Sequence, residues 1–305
     1  MTRPYPPPML PPWLRVLPGR TPSATVALVL GRAPVLVDAG SGRVASRAAI
    51  DRLLADAGLR PGDLTAVLLT HAHDDHVGGV GRLAREHGVP VALHAADLDH
   101  RCDRAFLAFD VPPFPVDRVL ADGDVLAAGD RELHVVHVGG QTPGAVVYWE
   151  PVDRIALTGD LVQDGDVAWA RFHEPGGVAA MAAAVHRVAA LDPRIVVPGH
   201  GPVVTDVPAA IARSLDRYAA WEHDLPAAAR HAGRRAVVHT LVHAPRDAAA
   251  LARLPWARHV AATVGLPVEG AVDELVAGLA ARGIVRERDG LLHATVPAEP
   301  ADPAG

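Results

Sequence analysis

The chain has 305 residues, half of them hydrophobic and 21% charged, enough to bury one large core plus a smaller unit and too apolar for a disordered protein. Its formal charge of −6 offers no overall attraction to nucleic acid or to an anionic membrane surface. The 29 Lys-plus-Arg residues are all arginine, which excludes Schiff-base chemistry, a lysine general base and a Walker phosphate loop, and the single Cys102 excludes an intramolecular disulfide and a cysteine zinc cluster.

Residues 1–22 read as an extended, proline-rich segment anchored by Trp13 and Leu14. Residues 1–20 lack the apolar core of a signal peptide, and Arg, Asp or Gly interrupts every apolar run before it reaches membrane-spanning length. A cytoplasmic protein without a membrane partner is expected. Residues 25–30 and 34–38 have strand character around the turn Gly31-Arg32-Ala33. Ile50, Leu53 and Leu54 give residues 47–57 a helical spacing that Gly58 closes. A strand over 65–69, a helix over 80–87 and a strand over 90–94 follow. Residues 95–115 are irregular and carry Cys102, Phe106, Phe109 and Phe114, material for a pocket wall or for core packing. Strands are expected at 125–127, 132–137, 145–150, 154–157 and 194–197, with an Ala-rich helix over 178–191. Two sheets packed face to face with helices outside satisfy this order.

Beyond residue 207 the spacing predicts one long or broken helix over 208–231, with Pro226 its kink or break. Val272, Leu275, Val276 and Leu279 form a helical stripe, and Gly283 is a good helix stop. The runs 284–288 and 291–295 then flank Asp289-Gly290, a strong hairpin signal. A helix followed by a hairpin looks like a winged-helix unit. Arg282, Arg286 and Arg288 are offset there by Asp273, Glu274, Glu287 and Asp289, so a packing or dimerisation role is expected and a nucleic-acid partner is not.

The stretch with most chemistry is Thr70-His71-Ala72-His73-Asp74-Asp75-His76-Val77-Gly78-Gly79, directly after the strand over 65–69. Three imidazoles and two carboxylates fall within residues 71–76, and alternation places His71 and His73 on one face. Such donors suit Zn²⁺, Fe or Mn. Gly78 and Gly79 are expected to let the chain turn sharply into the next helix.

His-x-His-x-Asp-His resembles the signature of the metallo-β-lactamase-fold hydrolases, and with the C-terminal unit it is most similar to their lactamase-like protein 2 and glyoxalase II-like branch. The resemblance implies an α+β fold: a four-layer αββα sandwich over residues 23–205, a helical, winged-helix-like unit over 206–298 and a tail over 299–305. It also implies that His71 and His73 bind a first metal and Asp75 and His76 a second. Asp160, in Thr-Gly-Asp, would bridge the two, and His200, in Pro-Gly-His-Gly, would complete the second. Asp38, in Asp-Ala-Gly, is a candidate supporting group, and Asp74 reads as a structural loop residue. Thr142-Pro143-Gly144 aligns the third segment, so Gln141 stands where the family carries a histidine for the first metal. A neutral amide oxygen is a harder and weaker donor than imidazole for Zn²⁺. One or two Zn²⁺ are therefore expected, with Fe or Mn as alternatives and the second site favoured. His137, four residues earlier, sits more than about 10 Å along a strand from that position, too far to substitute directly.

The function implied is hydrolysis of a small ester, thioester or lactone, with Asp75 orienting the nucleophile and passing a proton to the leaving group. Trp169, Arg171 and His173 are candidates to reach the substrate. An RNA phosphodiesterase is the alternative enzyme, although only residues 161–199 separate Asp160 from His200, without the long insertion common in nucleic-acid-processing members. A metal-poor binding or regulatory protein is the alternative of another class. A homodimer is compatible with the C-terminal unit.

Overall fold

Runs of Val, Leu and Ala too apolar to face water on either side build the centre of the molecule. A computed structural model describes residues 10–99, 106 and 113–300. β1 (Leu14–Leu17), β2 (Val26–Val29), β3 (Val35–Val37), β4 (Ala66–Leu68), β5 (Val91–His94) and β6 (Arg118–Leu120) form one sheet in that order. β1 to β3 are antiparallel, and β4 to β6 join in parallel after α1 (Val44–Ala55), α2 (Asp74–Val77) and α3 (Val80–His87). β1 lies within the stretch read as an extended lead-in and supplies that sheet's edge strand, with Trp13 and Leu14 buried as expected. The second sheet has the order β11 (Ile195–Pro198), β10 (Ile155–Gly159), β9 (Val146–Glu150), β8 (Arg131–His137), β7 (Val125–Ala128). It is antiparallel except for β10 and β11, which are joined through α4 (Gly177–Ala190).

The period of two in each strand separates three cores. Ala27, Val29, Val35, Val37, Leu133, Val135, Tyr148, Ile155 and Leu157 meet between the sheets. Val26, Leu28, Leu36, Val67 and Leu93 face the other way, onto Ile50 and Leu54 of α1 and Leu83 of α3. Val147, Ala156 and Val196 back onto Val178, Met181 and Val185 of α4. This is the expected αββα order, and each fully buried Val, Leu or Ile contributes about 1.5–3 kcal/mol to holding the layers together.

The C-terminal part departs from expectation in detail. The break falls at Asp224, between α5 (Val207–His223) and α6 (Leu225–His243). Pro226 occupies the first turn of α6, where its missing N–H costs nothing, and the Asp224 carboxylate caps that turn by accepting from Ala227 N. α6 therefore runs to His243, well past the expected end at 231. α7 (Ala248–Ala252), short and mostly alanine, and α8 (Pro255–Val264) lie outside the sequence expectation. α9 (Val268–Ala280) precedes the hairpin of β12 (Val285–Arg288) and β13 (Leu291–Ala294), whose turn residues Asp289 and Gly290 have φ of 53° and 74°. Trp256, Val260, Leu275 and Leu279 pack this unit onto α6, and Tyr218 of α5 donates to Ala168 O. No described helix is long and apolar enough to cross a membrane.

Candidate metal centre

The predicted ligands arrive from different elements at one end of the sandwich. Past β4 the chain leaves the sheet extended through His73, which opens α2 and so places Asp75 and His76 on its single turn. Asp160 and His200 follow the ends of β10 and β11, which are neighbours. His200 Nε2 lies 3.0 Å from Asp75 Oδ2 and 3.4 Å from Asp160 Oδ1, and His76 Nε2 lies 3.2 Å from Asp160 Oδ1. His71 Nε2 stands 2.9 Å from His73 Nδ1, and donor atoms of His71, His76 and Asp160 lie within 4.8 Å of one another. All of these except His200 are buried.

Backbone clearance allows this crowding. A Cβ on Gly199 would stand 2.4 Å from Asp160 Oδ1 and 2.7 Å from His76 Cε1, so only glycine fits there. Gly78 and Gly79 are needed for the same reason and not for a sharp turn: both lie in the right-handed helical region, and their Cβ atoms would meet Ser41 O at 2.1 Å and Ala39 O at 2.2 Å.

Two aspartates outside the ligand set hold it in place. Asp38 ends β3 at φ 59° and accepts from Thr70 N (2.8 Å), Thr70 Oγ1 (2.8 Å) and His76 Nδ1 (2.8 Å). That network puts the proton of neutral His76 on Nδ1 and turns the Nε2 lone pair towards Asp160. Asp97, fully buried just after β5, accepts from Ala72 N (3.0 Å), Thr142 Oγ1 (2.6 Å) and Gly144 N (2.6 Å). It ties the His-rich loop to the loop carrying Gln141. Sequence reasoning missed Asp97, because its partners lie 25 or more positions away and nothing local marks it.

Gln141 is buried beside these groups. Its amide is satisfied against Trp169, the nitrogen donating to Trp169 O and the oxygen accepting from Trp169 Nε1, both at 3.2 Å. The end of the amide that meets the indole lies 3.5 Å from Asp160 Oδ2. The Gln141 oxygen is thus engaged by Trp169 and lies beside Asp160. His137 is not part of the cluster: it stacks on His94 at 4.0 Å and its Nε2 meets Pro143 O at 2.9 Å.

The electrostatics suit a cation. Burial, reinforced by His76 and His73, drives His71 well towards its neutral form, the state a metal ligand needs. Burial opposes charge on His76 and on His200, but Asp38, Asp75 and Asp160 outweigh it for His76, and Asp160 and Asp75 for His200, so both are raised. Burial would lift Asp160 and Asp75, yet the adjacent histidines hold both carboxylates down. The ion pairs of Asp75 and Asp160 are to histidines, which a metal can replace at the same atoms. Buried imidazoles, carboxylates and one amide oxygen, converging at 2.9–3.5 Å, fit a metal ion.

A cleft of about 740 Å³ opens over these groups. His73, Asp75, Asp160 and His200 line its floor, Phe106 and Trp169 one wall, and Arg213, Arg217, Arg234, Arg235 and Arg282 its outer part. Trp169 stacks on Phe106 with ring centres 4.9 Å apart. Phe106 both lines the cleft and belongs to the core, and Phe114 packs in the core that faces α1 and α3, so residues 95–115 serve core packing as well as the wall. His100, Cys102 and Phe109 lie outside the described residues. Arg171 and His173 do not line the cleft: Arg171 is buried and pairs with Glu174, and His173 stacks on Phe106. Asp74 is more than the structural loop residue expected, because its carboxylate faces His239 and His243 of α6.

Comparison with known proteins agrees with this geometry. Residues 18–200, more than half of the chain, match the sequence model of the metallo-beta-lactamase superfamily. The chain belongs to this superfamily. Among its relatives, a hydroxyacylglutathione hydrolase of Cereibacter sphaeroides is 34% identical over 44% of this chain and 47% of its own length. An acyl-coenzyme A thioesterase of Gallus gallus is 32% identical over 47% of this chain and 59% of its own length. The chain thus spans only about half the length of these curated relatives. A metallo-β-lactamase family protein from Thermus thermophilus shares the fold across 93% of this chain and 99% of its own, with a TM-score of 0.58 and 21% identity. A protein solved in a di-iron-bound form is 34% identical, with a TM-score of 0.51, over 62% of this chain and 94% of its own.

Proposed function

We propose that this superfamily member is a metal-dependent hydrolase of acyl thioesters whose carrier bears negative charge. The observation that carries the reading is the cleft, which joins the His and Asp donors to a group of arginines without carboxylate partners. Among the described residues, Arg213, Arg217 and Arg234 make no ion pair, and Arg213 Nη1 is buried with no hydrogen-bond partner. Burial and the neighbouring Arg282, Arg230 and Arg217 make the charge on Arg234 harder to hold, a tension that an anion in the cleft relieves. Relatives named as acting on glutathione and coenzyme A thioesters support the same substrate class.

His71, His73, Gln141 and Asp160 would hold one ion, and Asp75, His76, His200 and Asp160 a second, favoured ion. Zn²⁺ is our reading of the metal, with Fe or Mn as alternatives, as the di-iron neighbour illustrates. A cation in such a donor set lowers the pKa of water to about 7 and polarises a carbonyl. The chain supplies the rest. Asp75, held ionised beside His200, orients the attacking water, accepts its proton on a carboxylate oxygen and passes it to the departing thiolate. Phe106 and Trp169 offer the acyl chain an apolar wall, and the arginines hold the carrier outside. We also read α7 to β13 as winged-helix-like, and the protein as cytoplasmic and able to dimerise.

The test compares hydrolysis of one acyl group carried by coenzyme A, by glutathione and by neutral N-acetylcysteamine, with and without chelator. Chelator-sensitive cleavage is expected, with KM for a charged carrier at least about tenfold lower than for the neutral one, the order expected of one or two charge-assisted contacts. The Arg213→Gln/Arg234→Gln variant should erase that preference and leave the neutral thioester unaffected. Cleavage indifferent to carrier charge, or none, would refute the reading. An RNA phosphodiesterase would use the same arginines on a phosphate chain, so cleavage of short RNA alone would establish that alternative.

A further inference from the structure

We propose that Asp74, His239 and His243 form a further site for a divalent cation of the Zn²⁺ type, joining the His-rich loop to α6. It is independent of the catalytic reading, since none of the three residues belongs to the predicted ligand set.

The spacing of the donor atoms is the first ground. Asp74 Oδ2 lies 3.3 Å from His239 Nε2 and 3.6 Å from His243 Nε2, and all three atoms lie within 4.8 Å of one another. The superfamily motif shows the same spacing, with 3.0 Å between His200 and Asp75, 3.2 Å between His76 and Asp160 and 3.4 Å between His200 and Asp160. Two ligands about 2.0–2.2 Å from one tetrahedral ion stand roughly 3.3–3.6 Å apart.

Position is the second ground. His239 and His243 are one turn apart on α6 and so share a face, with ring centres 4.8 Å apart. Asp74 opens α2 and presents its carboxylate to α6, while the next residue, Asp75, points at His200. The side chains of Asp74 and His239 are only 16% and 17% exposed, and both line the cleft, which leaves a coordination position open to solvent or substrate. Two imidazoles and one carboxylate with an open position suit Zn²⁺, Co²⁺ or Ni²⁺ better than Mg²⁺ or Ca²⁺, which want oxygen. An ion there would fix α6, which carries Arg234 and Arg235, against the loop that carries His71 to His76.

Zinc content per chain after equilibration with Zn²⁺ and removal of excess tests the proposal. The His239→Gln/His243→Gln variant should hold about one ion fewer than the wild type, while Asp75→Asn/His200→Gln, which disables the superfamily site, should still lose about one more when the two pairs are combined. Co²⁺ provides a second readout. Visible bands of tetrahedral Co²⁺ should persist in the Asp75→Asn/His200→Gln protein and vanish in the combined variant. A folded His239→Gln/His243→Gln protein with wild-type zinc content and unchanged Co²⁺ bands would overturn it, leaving the cluster an Asp–His ion pair. Failure of the superfamily site would appear differently, as Zn²⁺ retained by His239 and His243 alone.

Discussion

The Asp38→Asn variant tests how the centre is oriented, because it is nearly isosteric and leaves the backbone alone. Asp38 sits at φ 59°, where Asn is as comfortable as Asp and Ala would be strained. Thr70 N donates to Oδ1 at 2.8 Å, so the variant must keep its carbonyl oxygen there. Its NH₂ group then replaces Oδ2, facing Thr70 Oγ1 and His76 Nδ1 at 2.8 Å each. A donor facing Nδ1 makes Nδ1 the acceptor and moves the imidazole proton to Nε2, the atom aimed at Asp160. That proton must be displaced before His76 can bind a metal. Loss of such a supporting carboxylate lowers metal affinity about 10- to 100-fold, which is about 1.4–2.7 kcal/mol. Competition with a zinc chelator at pH 7.5 measures it, with circular dichroism confirming the fold. Unchanged affinity in a folded variant would show that Asp38 does not set the tautomer of His76.

Other outcomes follow from the same contacts. In the His239→Gln/His243→Gln background, Gln141→His should raise the metal content of protein purified without added metal from about one to about two ions per chain, since imidazole is the better ligand; about two in both proteins would show that the amide binds adequately. Asp97→Ala leaves three buried donors unsatisfied, at about 1–3 kcal/mol each, and should lower stability in urea by about 3–9 kcal/mol. A loss below about 1 kcal/mol would mean that the two loops hold without it. Burial and the Arg235 charge lower His231 to about 4, so it folds neutral, and between the unfolded value and about 4 the unfolded chain binds the extra proton. Stability from this group is present above pH 6.5 and lost as the pH falls towards the folded value. Wild type should lose about 2 kcal/mol more than His231→Phe between pH 7 and pH 5, measured by urea unfolding; equal losses would show that His231 is not held neutral.

What could be read from the sequence was what periodicity and chemistry encode locally. Most strands of both sheets and the helix Val80–His87 were legible because buried runs alternate or repeat at fixed spacing, whereas β1, read as an extended lead-in, and β6, three residues of which two are exposed, were not. His71 to His76, Asp160 and His200 could be found because strand ends deliver them and their residue types are scarce in such contexts. Asp97 and the pairing of Asp74 with α6 could not, since each depends on a partner that only the packed chain brings near. The break at Asp224 escapes the sequence for a related reason. A proline inside a helical pattern reads equally as a kink or as the first turn of a new helix, and the Asp224 cap decides it.

The arginines of α5 and α6 give the cleft a local positive charge that the net charge of the chain does not reveal. A chain of formal charge −6 would repel an anion at long range. Screening at physiological salt, however, limits exposed charges to about 8 Å, so a ligand in the cleft is governed by the groups that line it. Asp166 is paired with Arg235, while Arg213, Arg217 and Arg234 make no ion pair among the described residues. Deeper in, Asp75 and Asp160 favour cations. The cleft is therefore polarised along its length, with cation-binding groups at the floor and anion-binding groups at the mouth. A neutral acyl group seated at the floor on an anionic carrier held at the mouth matches that polarity, whereas the reverse orientation would set negative charge against Asp75 and Asp160.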